Sequence, residues 1–164
     1  MSARDTTRAI RNHRGMDQVS FELAPAGGDY ASELSQIRIE VNGTDLVELV
    51  RQAELPSAQA DEEEELAGTY VGLVPGYIRM DLASQFLGSP GTALSPGPQD
   101  KTALLSCNCG EVGCSPLLAR VTVDDDTVTW DDFEQPTRPD WDYDGFGFTF
   151  ARPQYEQALM AMYG

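Results

Sequence analysis

The sequence predicts an α+β fold: an antiparallel β-meander core with one helix early (about 44–54) and one C-terminal helix (about 153–163). Three observations carry this. In Gln36-Ile-Arg-Ile-Glu-Val41, residues Ile37, Ile39 and Val41 alternate onto one face, the period of a half-buried strand, and a helical pattern follows at once. From Thr102 to Phe150, short apolar runs are separated by turn residues. After Pro153 the apolar residues recur at helical spacing. The length, 164 residues, fits one domain.

Taken in chain order, residues 1–15 carry Arg4, Arg8, Arg11 and Arg14 against Asp5, with no apolar period, and read as a basic, disordered tail. Met16 opens a single domain over 16–164. After the 36–41 strand, Asn42-Gly43 supplies a turn and Thr44 an N-cap. Leu46, Leu49, Val50 and Ala53 then form a helical stripe that Pro56 should end. Residues 57–65 (SAQADEEEE) read as an acidic connecting loop, and Thr69–Val74 as a short strand stopped by Pro75-Gly76. Tyr77–Leu87 fits a strand at its start and a helical turn at its end, and 88–100, rich in Gly and Pro, reads as a loop. The meander follows, with strands over Thr102–Cys107, Leu117–Val123, Thr127–Trp130 and Phe146–Phe150. Pro153 suits the first turn of the last helix, whose face holds Tyr155, Ala158, Leu159 and Met162.

Charge narrows the function. Eleven Lys+Arg against 27 Asp+Glu give a net charge of −16. With +3 in the first 15 residues, the rest of the chain stands at −19. Phosphate contacts need a basic footprint, so direct nucleic-acid binding is not expected, nor is docking on an anionic membrane. No apolar run of membrane-spanning length and no secretory signal pattern occur, which points to a cytoplasmic address. The single histidine, His13, lies in the tail, which disfavours a hydrolytic triad or a His-based zinc hydrolase. Gly97-Pro-Gln-Asp-Lys101-Thr102 lacks the Gly-Lys-Thr order of a phosphate loop, and its proline removes an amide donor.

Two motifs remain. Cys107, Cys109 and Cys114 fall within eight residues; the first two share a strand face, and the glycines between let Cys114 return toward them. Three converging sulfurs suit a soft divalent metal, zinc above all, with Glu111 or Asp131 as a poor fourth ligand. Packed thiols and reversible redox chemistry are the alternatives. Asp140-Trp-Asp142-Tyr-Asp144-Gly145 matches the first half of a calcium loop, but its twelfth position is Ala151 instead of glutamate. Plain alternation explains the same segment, with three aspartates outward and Trp141 and Tyr143 inward.

The acids are clustered: five in residues 61–65 and nine in 124–144. The second cluster, with Asp124, Asp125, Asp126, Asp131 and Asp132, is the candidate face for a basic partner, against the plainer reading of a solvated surface.

The order C-x-C-G-E-x-G-C, V-T-W-x-x-F and F-x-R-x-Q-Y-E-x-A-L over residues 107–159 resembles a group of small uncharacterised bacterial proteins. The resemblance spans roughly 36–164, most clearly from Leu104, and implies one compact domain with no activity attached. In that group a histidine often stands where this chain has Thr137, so a Cys3His site would lack a ligand here. The function expected from these residues is a binding or structural module with a candidate metal or redox cysteine knuckle. Two alternatives stand beside it: an acidic inhibitor- or immunity-type protein presenting 124–144 to a basic partner, and a thiol-dependent enzyme. Glu111 and the acids downstream would raise a thiol pKa, which weighs against the last.

Overall fold

The computed structural model describes residues 16–25, 34–75, 85–87, 101–107 and 116–163. It is an α+β fold with two antiparallel sheets and two long helices among the described residues. The first sheet has the order β1 (Val19–Pro25), β2 (Ser35–Val41), β3 (Thr44–Asp45). Helix α1 (Leu46–Ala60) follows directly, then a 3-10 turn at Glu64–Leu66. The second sheet runs β4 (Tyr70–Gly72), β5 (Thr102–Cys107), β6 (Leu117–Val123), β7 (Thr127–Glu134), β8 (Phe148–Ala151) in sequence order, and α2 (Arg152–Tyr163) closes the chain. No helix among the described residues is long and apolar enough to cross a membrane.

The alternation of β2 is realised: Ile37, Ile39 and Val41 are buried. Asn42 and Gly43 both have positive φ, 55° and 86°, the primed turn whose twist matches a hairpin, and Val41 pairs with Thr44 across it. That pairing makes Thr44 part of β3, and the N-cap is Asp45, whose Oδ1 accepts from the Val47 amide at 2.9 Å. Pro56 does not end α1, which continues to Ala60 and absorbs the start of the expected 57–65 loop. Proline in a helix costs roughly 3 kcal/mol, and tertiary packing outweighs it: Pro56 is exposed, while Glu54 and Ala58 on either side are buried.

Three further strand bounds differ. β1 is an addition to the expected elements: Val19, Phe21 and Leu23 alternate with Ser20 and Glu22, and the structure buries the first two and leaves Leu23 exposed. β4 is limited to three residues. β7 runs on to Glu134 through a bulge, where the register slips between Leu118/Glu134 and Arg120/Asp131. Asp132 takes φ 53° there, a left-handed conformation that Asp tolerates better than most residues.

The sheets meet where β2 crosses β4. The Ile37 amide donates to the Leu73 carbonyl at 2.8 Å, and the Gly72 amide donates to Gln36 Oε1 at 2.6 Å. Both sheets and both helices supply one hydrophobic core, centred on Trp130, Phe150, Tyr155, Phe86 and the aliphatics of β2, β5 and β6. Trp130 Nε1 donates to the Tyr155 hydroxyl (3.1 Å), which donates to the Phe86 carbonyl (2.5 Å), so the polar atoms of two buried aromatics are satisfied.

Candidate functional site

A cleft of about 710 Å³ opens between β7, β8 and the connection joining them. Its floor is aromatic: Phe133 and Phe146 (ring centroids 4.8 Å apart) and Phe148 (5.2 Å from Phe146) meet edge to face, with Trp130 beneath. Gly147 lets the connection pass close to β7, since a Cβ there would stand 2.8 Å from the Trp130 carbonyl oxygen. Asp17, Asp131, Asp132, Asp142 and Asp144 line the walls, and among the described residues no Lys or Arg does. Asp132 is neutralised by Arg120 (2.7 Å) and Lys101 (3.6 Å). Asp17 accepts from Asn42 Nδ2 and from the Thr149 amide, both at 2.9 Å. Asp131, Asp142 and Asp144 have no ion-pair partner among the described residues; Asp142 Oδ1 accepts from the Asp144 amide at 2.8 Å in an Asx turn, and Gly145 follows at φ 80°.

One wall is riveted to α1. Trp141 Nε1 donates to Asp61 Oδ2 (2.9 Å), the Asp142 amide to Ser57 Oγ (3.1 Å), and the Tyr143 hydroxyl to Glu54 Oε2 (2.5 Å). Positions 54, 57 and 61 lie on one helical face, so an extended segment runs along the helix making one bond per residue.

Glu54 is the centre of a buried network. It is 1% exposed and accepts from the Tyr70 hydroxyl (2.6 Å), the Tyr143 hydroxyl and the Gly68 amide (2.8 Å). Tyr70 in turn accepts from Gln135 Nε2 (2.7 Å), and Gln135 Oε1 accepts from the Thr137 amide and hydroxyl. All donors point toward Glu54, the acceptor role of a carboxylate. Sequence reasoning passed Glu54 over, although a signal was there: it interrupts the stripe Leu46, Val50, Ala58 at the i, i+4 spacing of the buried face.

Burial drives the phenols of Tyr70, Tyr143 and Tyr155 well above their ordinary pKa of 10.0, and the neighbouring Glu54 charge adds to this for Tyr70 and Tyr143. A raised folded-state pKa stabilises the fold fully below the unfolded value and loses that contribution as pH rises above it. Stability therefore falls above pH 10 by about 1.4 kcal/mol per pH unit for each phenol, roughly 4 kcal/mol per unit for the three. A spectrophotometric titration should show these three tyrosinates appearing together with loss of circular dichroism. Their ionisation one by one in an intact fold would contradict the burial argument.

The expected site residues fall out as follows. Asp131 and Asp132 reach the cleft, whereas Asp124, Asp125 and Asp126 form the exposed β6–β7 turn outside its lining. Of the acids in 124–144, the cleft lining thus takes Asp131, Asp132, Asp142 and Asp144 and leaves out Asp124, Asp125 and Asp126. Asp140, Asp142 and Asp144 point outward and Trp141 and Tyr143 inward, as alternation predicts. No group of three His, Cys, Asp or Glu among the described residues, Asp140, Asp142 and Asp144 included, is arranged to hold a metal ion. Cys107 ends β5 opposite Tyr70; Cys109, Glu111, Cys114 and His13 lie outside the described residues, so the expected zinc site does too. Lys101, the single lysine, is buried against Glu134 at 2.7 Å.

No family model, curated protein or solved structure matches this chain.

Proposed function

We propose that this protein is a binding module whose cleft between β7, β8 and residues 141–147 takes an arginine-rich segment of a protein partner. The observation that carries this is the pairing of an aromatic floor with aspartates that have no counter-charge among the described residues. A guanidinium is planar and weakly hydrated; it stacks on rings and forks onto carboxylates, and the cleft offers both. The fold already makes such a contact at its margin, where Arg138 lies 5.2 Å over the Trp141 ring.

Fluorescence anisotropy with a labelled nona-arginine peptide tests the proposal. Binding should weaken steeply between about 50 and 300 mM salt. The D131N/D144N double substitution should weaken it about five- to tenfold, the loss of two partly exposed charge pairs. The D124N/D125N/D126N triple substitution removes more charge outside the cleft and should change affinity by less than about twofold. An equal or larger loss in the triple variant would mean that net charge alone attracts the peptide.

A further inference from the structure

We infer that the cleft is an interaction surface for the chain's own arginine-bearing segment, residues 1–15, which competes there with any external basic ligand. This rests on the reading of the cleft as a basic-peptide site and adds who occupies it. The first observation is where the chain enters the fold. Asp17 lines the cleft and is fixed there from both sides: its amide donates to the Thr149 carbonyl at 2.7 Å, its carboxylate accepts the Thr149 amide, and it bridges Phe150 in parallel with β8. The segment before it is therefore tethered at the cleft rim.

The second observation is charge. Each cation among the described residues is already engaged: Arg38 with Glu40, Arg51 with Glu48, Lys101 with Glu134, Arg120 with Asp132, Arg138 with Trp141 and Arg152 with Glu156. Four of the chain's ten arginines, Arg4, Arg8, Arg11 and Arg14, stand in the first 15 residues against the single acid Asp5. Reach is sufficient. Arg14 is three residues from Asp17, within about 10 Å of extended chain, and the whole segment spans up to about 50 Å. Tethering at this distance gives an effective concentration in the millimolar range, so an affinity of about 100 µM already fills the cleft most of the time.

The test uses the full-length chain and its R4Q/R8Q/R11Q/R14Q variant, whose substitutions touch none of the core contacts described above. Two labelled probes are titrated at low salt: nona-arginine and a synthetic peptide of residues 1–15. Both should bind the variant about tenfold more tightly than the unmodified chain, the factor that intramolecular competition at these concentrations imposes. Adding D131N/D144N to the variant should remove that gain. If nona-arginine binds both proteins equally, the cleft still takes basic peptides but its own segment does not occupy it, and the inference falls alone. If nona-arginine binds neither protein, the binding reading falls and the inference with it. A tenfold gain accompanied by a dimer of the unmodified chain on size-exclusion chromatography would replace docking within one chain by docking between copies, and so overturn the inference.

Discussion

Replacing Glu54 with alanine is expected to cost about 3–6 kcal/mol, a large part of the roughly 5–15 kcal/mol that holds a domain of this size together. The substitution leaves the Tyr70 hydroxyl, the Tyr143 hydroxyl and the Gly68 amide without their acceptor, the two hydroxyls in buried bonds and the amide in a part-buried one. Each buried donor so orphaned costs about 1–3 kcal/mol, and the missing side chain adds a void. Y70F and Y143F remove one donor each and keep the ring, so each should cost about 1–2 kcal/mol. Urea denaturation of the three variants, with the E54A/Y143F double variant completing a thermodynamic cycle, reads the coupling directly. A loss below about 1 kcal/mol for E54A, or additivity in the cycle, would show that the network does not hold the connection onto the helix.

The second large effect is expected at Gly72. A Cβ on this residue would stand 2.0 Å from the Ile37 carbonyl oxygen and 2.7 Å from its carbon, both backbone atoms that no rotamer change can move. Relief requires β2 and β4 to separate by about an ångström, breaking the bonds at Ile37 and Gln36 that join the two sheets. G72A should therefore cost about 3–5 kcal/mol and lower Tm by roughly 10 °C or more. Gly43 is the matched control: it needs its positive φ, but a Cβ there meets nothing within 4 Å. G43A should cost only about 1–2 kcal/mol. Equal Tm losses for the two would mean that backbone conformation, and not the approach of the sheets, sets the requirement at Gly72.

Much of the architecture was legible because local chemistry and global packing agree. Ile37, Ile39 and Val41 alternate in a strand that is buried on one side, Asn42-Gly43 suits only the turn it makes, and Tyr155 and Leu159 lie on the buried face of α2. Pro56 misled because a propensity acts per residue while burial of Glu54 and Ala58 acts on the whole turn. β1 was legible too, since Val19, Phe21 and Leu23 alternate with Ser20 and Glu22, but the signal is only five residues long and stands beside the tail with no partner strand yet defined. In the site, the alternation of Trp141 and Tyr143 with the aspartates was readable; the cleft was not, since it needs Asp17 and Phe148 brought from opposite ends of the chain. Which acids of 124–144 line the cleft was not readable for a related reason: Asp131 and Asp132 reach it through the bulge in β7, while Asp124, Asp125 and Asp126 stay in the turn before that strand.

The three bonds that pin residues 141–143 to α1 bear on how a ligand would experience the cleft. A wall held at Asp61, Ser57 and Glu54 cannot swing outward without exposing the buried tyrosine hydroxyls, so its local opening is linked to loss of the core itself. The aspartates at Asp142 and Asp144 are thus carried on a preorganised scaffold. A cation binding there would find the backbone already ordered, and the cost left to oppose it would be confined to the exposed carboxylate side chains.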